Sequence, residues 1–356
     1  MANDIRDGSS SYSIRRALIT GGSGYFGSSL LAKLLTRSAD CRVFDLNDAS
    51  DRPPTVDFSK GDIRDYNAIR KACEGRDVVY HNVAQVPLAK DRQLFNTVNI
   101  DGTRNLLKAA LETGIKKVIY TSSSAVFGVP KSNPVTEFTE PCPEEAYGKA
   151  KYQAEKICAE YISKGLDVGI IRPRTILGHG RLGIFQILFE WIREGNNVPV
   201  LGNGNNIYQF VHADDLADAC ILAGERTGPG IYNCGAEVFG SMRQVLEHLC
   251  AHANTGSRVK TVPMAPAVLG MKITNTLGLS PLGAYHALMY GRSMYFDITR
   301  AKQELGWQPR YSNNEMFVES YDWYCKNREA VLSSKGASHH RSGVKQGVLK
   351  LVKWAI

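Results

Sequence analysis

The sequence predicts an α/β protein in which a doubly wound parallel sheet carries a smaller C-terminal lobe. Three observations predict it. Short apolar runs alternate with helical patterns through the first half of the chain, the rhythm of parallel strands joined by crossover helices. Runs such as Val118 with Ile119, or residues 169–171, are apolar without alternation, as strands buried on both faces are. A glycine-rich turn, Thr20-Gly21-Gly22-Ser23-Gly24-Tyr25-Phe26-Gly27, separates the first strand from the first helix.

Residues 17–20 form the first strand. After the glycine turn, Leu30, Leu31, Leu34 and Leu35 recur at helical spacing. Strands follow at 41–45, 78–82, 117–121 and 168–172. Beyond residue 173 the rhythm becomes irregular. Gly and Asn cluster over 195–206, which signals a loop. Residues 262–295 scatter Pro, Gly and Met through an apolar background, the character of a lobe over one end of the sheet. Residues 297–306 read as a capped helix ending at Gly306, and 333–343 read as a linker.

Composition narrows the class. The chain has 356 residues, 43% of them hydrophobic and 22% charged, which excludes collagen, coiled coil and wholesale disorder. The net charge is +8, but residues 335–356 hold Lys335, Arg341, Lys345, Lys350 and Lys353 with no acid, so the body is only mildly basic. With no recognition motif either, nucleic acid is not an expected partner. Eight cysteines form no C-x-x-C pair and no zinc-spaced cluster, and residues 2–13 are polar. A reducing cytoplasm is the simplest compartment. In the tail, Gln346, Lys350 and Lys353 share one helical face opposite Val348, Leu351 and Trp354. Such a tail suits either a membrane interface or the protein's own surface.

The glycine turn carries the first chemistry. Gly21, Gly24 and Gly27 have the G-x-x-G-x-x-G spacing that lets backbone approach a pyrophosphate at a helix N-terminus. Asp45 ends the second strand, where a carboxylate meets the adenosine ribose hydroxyls and repels a 2′-phosphate, so NAD is the expected cofactor. The chain then divides into an extension (1–14), an NAD-binding domain (15–173, with 210–235 and parts of 296–310 interleaved), a mainly substrate-binding lobe (174–330), and a linker with the basic amphipathic tail (331–356).

Tyr147 and Lys151 stand four apart and share a helix face. A phenol is a poor base at neutral pH, but a neighbouring ammonium and a positive nicotinamide ring favour the phenolate. Tyr147 then takes a proton from an alcohol as hydride leaves its carbon. Spacing alone favours an ordinary surface pair on an amphipathic helix. The serines of Thr121-Ser122-Ser123-Ser124 after a buried strand place hydroxyls at the carboxyl end of the sheet, where they can hold the reacting oxygen.

Together these residues resemble the extended short-chain dehydrogenase/reductase family, the NAD-dependent epimerase/dehydratase superfamily, whose sheet is Rossmann-type. The resemblance runs from about Arg16 to Tyr324. It rests on the glycine turn, on Gly61-Asp62-Ile63-Arg64-Asp65, on His81-Asn82-Val83-Ala84, and on Asn99 with Gly102-Thr103. It continues through Ser123, the Y-x-x-x-K pair, Phe210-Val211-His212-Ala213-Asp214-Asp215, and Ala301-Lys302 to Leu305-Gly306-Trp307. The resemblance implies Tyr147 as acid/base, Lys151 as the cation that lowers its pKa while binding the nicotinamide ribose, and Ser123 as orienter, with Tyr147 and Lys151 also among the cofactor contacts. It implies cofactor contacts at Tyr25, Phe26, Asp62, Ile63, Val83, Ala84, Gln85, Asn99, Thr121 and Pro173. Substrate contacts fall on Gln85, Ser124, Arg174, Thr175, Tyr208 and Arg292, and no metal is implied. His212, Asp214 and Asp215 are expected to cap a helix and orient a loop. A homodimer through the helix at about 144–164 is also implied.

Three reactions stay open. The family's 4,6-dehydratases carry Asp-Glu after the catalytic Thr; here Ser124-Ala125 stand there, which disfavours dehydration. A nucleotide-sugar epimerase is the first expectation. Two of that branch's diphosphate elements are altered, however: Thr175 replaces the usual Asn and Tyr208 the usual Arg, leaving Arg174, Arg181 or Arg292 to substitute. The alternative is an oxidoreductase like the 3β-hydroxysteroid or sterol dehydrogenases, on a lipid-type alcohol, suggested by Thr121-Ser122-Ser123 and apolar residues 262–295. A non-catalytic NAD-binding regulatory protein is the third reading, disfavoured because Ser123, Tyr147 and Lys151 are all present.

Overall fold

The computed structural model describes residues 12, 14–85, 93–276, 289 and 291–333. The basic tail, residues 335–356, and most of the N-terminal extension lie outside the described residues. Six strands come from the first half: β1 (Arg16–Thr20), β2 (Asp40–Asp45), β3 (Asp57–Lys60), β4 (Val78–His81), β5 (Lys117–Thr121) and β6 (Val168–Pro173). Short strands β7 (Thr175–Leu177), β8 (Val198–Leu201), β9 (Ile207–Tyr208) and β10 (Phe210–His212) follow. Then come β11 (Gly230–Cys234), β12 (Gly240–Ser241) and β13 (Val259–Val262). The helices are α1 (Tyr25–Thr36), α2 (Tyr66–Cys73), α3 (Gly102–Glu112), α4 (Ala146–Ser163) and α5 (Ile184–Arg193). The remainder are α6 (Ala213–Glu225), α7 (Met242–Ala253), α8 (Met264–Thr276), α9 (Thr299–Leu305) and α10 (Asn313–Ser333).

Seven strands pair in the order β11-β6-β5-β4-β1-β2-β3, every pair parallel. The expected doubly wound sheet is present. Its chain order reverses between β1 and β4, which opens a crevice at their carboxyl ends. Because strand side chains alternate, Ala17 and Ile19 join a core with Leu30 and Leu34 of α1 and Leu216 of α6. Leu18 points the other way, into a core with Ile69 of α2, Leu107 of α3 and Ile157 of α4. A third core, built from Phe185 and Phe189 of α5, Leu246 of α7 and Phe317 of α10, shares no residue with these two.

Local signals set the helix ends. Asp65 caps α2 by accepting from the backbone N–H groups of Asn67 and Ala68, and Ser241 with Gln244 forms a capping box on α7. Gly306 ends α9 at φ +65°, where the sequence places the stop. One segment differs from expectation: residues 195–206 are not all loop. Val198–Leu201 forms β8 and pairs in parallel with β13, burying Val198 and Val200. The surrounding Gly and Asn mask a strand of four residues. The edge strand β3, Asp57–Lys60, also carries too little apolar alternation to be read from sequence. No helix among the described residues is long and apolar enough to cross a membrane.

Candidate active site

A continuous cavity of about 910 Å³ runs along the crevice, from Asp45 and Asp62 past the glycine turn to Ser123, Tyr147 and Lys151. It then continues beneath the C-terminal lobe. Gly21 adopts φ +72°, and its N–H donates to the carbonyl of Phe44 at 2.9 Å. A Cβ there would stand 3.0 Å from the backbone nitrogen of Val83, so only glycine leaves the trough open. Gly24, Tyr25, Phe26 and Gly27 line the same trough at the start of α1, whose free N–H groups face it. Asp45 ends β2, and its carboxylate accepts from the N–H groups of Ser23 (3.1 Å) and Leu46 (2.7 Å). Burial raises its pKa, against those hydrogen bonds. Asp62 and Ile63 line the opposite rim, with Asp62 paired to Arg64 at 2.5 Å. This donor set fits a dinucleotide: a backbone cradle for phosphates and a carboxylate for ribose hydroxyls.

Val83, Ala84, Gln85, Thr121 and Pro173 complete the wall. Asn99 stands behind it rather than in it. Its Oδ1 accepts from the Gln85 N–H at 2.7 Å and its Nδ2 donates to the Gln85 carbonyl at 3.1 Å, so it fixes the backbone that forms the wall. Arg292 also stands apart: it is exposed and does not line the cavity.

Tyr147 sits at the start of α4. The Glu145 carboxylate caps that helix, accepting from Tyr147 N–H at 2.7 Å and Gly148 N–H at 2.5 Å. A Cβ on Gly148 would lie 2.4 Å from the carbonyl oxygen of Ala125. Glycine thus lets α4 press against the serine loop. The Tyr147 side chain is hydrogen-bonded to Ser123, whose Oγ also accepts from the Ala125 N–H at 3.1 Å. Burial pushes the phenol up to about 12, while the Ser123 hydrogen bond and the charge of Arg181 pull it down. Lys151 donates to the Thr121 carbonyl at 2.8 Å and sits 4.8 Å over the Tyr120 ring. Burial lowers its pKa to about 8. The Arg181 charge thus adds to the groups that bear on Tyr147, and Lys151 is anchored on β5. Below the site, Ser122 donates to Glu155 at 2.5 Å, and Glu155 takes Arg172 through two bonds of 2.9 and 2.7 Å. This buried network ties β5, β6 and α4 together.

His212 caps α6 as expected: its Nδ1 accepts from the Asp214 N–H at 3.1 Å. Asp215 holds the loop ahead of α10, accepting from the N–H groups of Arg310 and Tyr311 at 2.9 and 3.1 Å. The His212 Nε2–H donates to Glu319 at 2.6 Å, and His179 Nδ1 lies 3.5 Å from the same carboxylate. Sequence reading missed this trio because more than a hundred residues separate His212 from Glu319. It is a poor metal site: the Asp214 N–H occupies the His212 Nδ1 lone pair and leaves the proton on Nε2.

Beyond Tyr147 the cavity changes character. Ile184, Ile187, Leu188 and Trp191 of α5, Val200 and Leu201 of β8, Met242 and Leu246 of α7, and Met271 of α8 form its wall. The polar points are few. Thr175 and Tyr208 bond each other through their hydroxyls at 2.9 Å. Arg174 and Arg181 also line the space with Ser124.

The model of the NAD dependent epimerase/dehydratase family matches residues 17–235. An uncharacterized protein, y4nG, of Sinorhizobium fredii is 55% identical over 344 residues, covering 96% of this chain and 87% of that one. The 3β-hydroxysteroid dehydrogenase/Δ5→4-isomerase of Mycobacterium tuberculosis is 26% identical over 374 residues, with 97% and 100% covered. Among solved structures, the Thermus thermophilus UDP-glucose 4-epimerase in complex with NAD superposes with a TM-score of 0.70 at 26% identity. That match covers 87% of this chain and 99% of the other.

Proposed function

The chain belongs to the NAD-dependent epimerase/dehydratase family, as an NAD-dependent enzyme of the extended short-chain dehydrogenase/reductase type, and from that premise we propose that it oxidises and reduces the carbinol carbon of an alcohol with a large apolar body. One observation carries the choice of substrate: past Tyr147 the cavity wall is aliphatic and aromatic on α5, β8, α7 and α8. The position at which the nucleotide-sugar branch carries a diphosphate-binding arginine is Tyr208, and its hydroxyl is committed to Thr175.

Bound NAD supplies the hydride acceptor. The chain's own residues handle the proton and the geometry. Ser123 holds the reacting oxygen beside Tyr147, Tyr147 takes the carbinol proton and returns it in the reverse direction, and the carbinol becomes a ketone. Burial holds Tyr147 well above neutral pH until positive charge stands beside it, so Arg181 and the bound cofactor together set its activity.

A second reading, a nucleotide-sugar epimerase, draws support from one observation. Arg174 and Arg181 line the cavity, and neither pairs with a carboxylate among the described residues. The test offers NAD with a 3β-hydroxysteroid, a long-chain secondary alcohol and UDP-glucose in parallel. Net NADH from the steroid or the alcohol is expected. Interconversion of UDP-glucose with UDP-galactose, with no net NADH, overturns the apolar-alcohol reading.

The reading extends to assembly and place. A second copy packs on the outer face of α4, which sedimentation checks. The basic tail either meets an anionic membrane or docks on the protein or its dimer mate, and a liposome pull-down with and without residues 335–356 separates the two.

A further inference from the structure

Two arginines stand two residues apart at the end of β6, and their surroundings differ. Arg172 is buried and spent: Glu155 takes its guanidinium through two hydrogen bonds. Arg174 is 1% exposed and has no carboxylate partner among the described residues. Its Nη1 donates to Ser124 Oγ at 2.9 Å and lies 3.2 Å from the Met294 sulfur. Its Cζ sits 4.6 Å from the Tyr208 ring centre and 5.6 Å from that of Phe296. Its Nε and Nη2 make no hydrogen bond.

A guanidinium is a cation with a planar fork of N–H donors. Aromatic rings attract its faces, but its N–H edge asks for acceptor oxygens. The fold gives that edge one hydroxyl and a sulfur. A buried charge left in this state is unfavourable unless a ligand completes it. Arg174 lines the cavity, and the Ser124 it holds is the neighbour of Ser123, which bonds Tyr147.

We propose that Arg174 binds an oxyanion of the substrate, a carboxylate or a phosphate, carried near the carbinol carbon. The substrate class is then an acidic apolar alcohol: an anionic group and a hydroxyl at one end, hydrocarbon beyond. The inference rests on the apolar-alcohol reading. It goes further by giving Arg174, buried just past β6 and without an ion pair among the described residues, a partner that the protein does not supply.

The test compares three probes with the intact protein and NAD: 3-hydroxyhexadecanoate, its methyl ester, and 2-hydroxyhexadecyl phosphate. One charge-assisted bidentate contact predicts about a 10- to 100-fold higher kcat/KM for an anionic probe than for the ester. Which anion gains more separates carboxylate from phosphate. In Arg174→Gln the ratio of anion to ester should fall towards one, through KM, and Arg174→Lys should restore part of it. The wild-type ratio needs no variant, so poor folding of Arg174→Gln leaves the question answerable. NADH from the ester with no preference for either anion overturns the inference while the apolar-alcohol reading stands. No NADH from any of the three, beside turnover of UDP-glucose, overturns both.

Discussion

At the cofactor end of the cavity the wall is backbone, held by strand ends: Gly21 against Val83, the Gln85 peptide pinned by Asn99, and the first turn of α1. At the substrate end it is side chain, gathered from α5, β8, α7 and α8. A backbone wall tolerates little change of residue, because a methyl group blocks it. A side-chain wall can change size and polarity while its helices stay in place. The first end is therefore specified by a few glycines and one acid, the second by an apolar volume with the arginines Arg174 and Arg181 on its wall. Tyr147 stands where the two meet.

Substitutions that act on one end only test this division. Tyr147→Phe, at the junction, should lower turnover by about 10²–10⁴-fold while NAD still binds; calorimetric titration alongside a rate assay checks both. Equal turnover would remove Tyr147 from its role. Gly21→Ala belongs to the cofactor end. It places a side chain at φ +72°, which costs about 1–2 kcal/mol, and it narrows the trough. Weaker NAD binding by about tenfold and a lower Tm are expected, with KM for the alcohol little changed.

Leu188→Asn belongs to the substrate end. A single polar intrusion into an apolar pocket is worth about 1–3 kcal/mol, so KM for an apolar alcohol should rise about tenfold or more. NAD affinity should hold; a parallel loss of NAD binding would break the division. Glu319→Gln is the smallest effect. Its hydrogen bonds to His179 and His212 hold the Glu319 carboxyl at about 2 against burial, below its ordinary 4.5. A depressed acid stabilises the fold above about pH 4.5 and loses that contribution as pH falls towards 2. Solvent screens this half-exposed group, so the contribution is below about 1 kcal/mol. Urea unfolding from pH 6 to pH 3 should show a shallower slope in the variant.

The same division governs what could be read from the sequence. Gly21, Asp45 and the Tyr147–Lys151 spacing were legible because each reports local backbone or helix geometry. The β8 strand was not, because four residues amid Gly and Asn acquire their pairing only when β13 arrives from 58 residues away. Asn99 and Arg292 carry side chains suited to ligands, yet one braces the wall and the other faces solvent; composition cannot distinguish these from contact. Arg181 and Tyr147 line the same cavity from elements that stand apart in the chain, and no local pattern announces that they share it. From the apolar run at 262–295, Val262, Ala267 and Met271 line the cavity.

The third core has a practical consequence. Its buried residues run from Leu177 to Val331 and include none of those that seat β1, β4 or β5. Substitutions in α5, β8 and α7 that disturb this core should therefore leave the packing around β1, β4 and β5 in place, and a melting curve of such a variant should lose the lobe before the sheet.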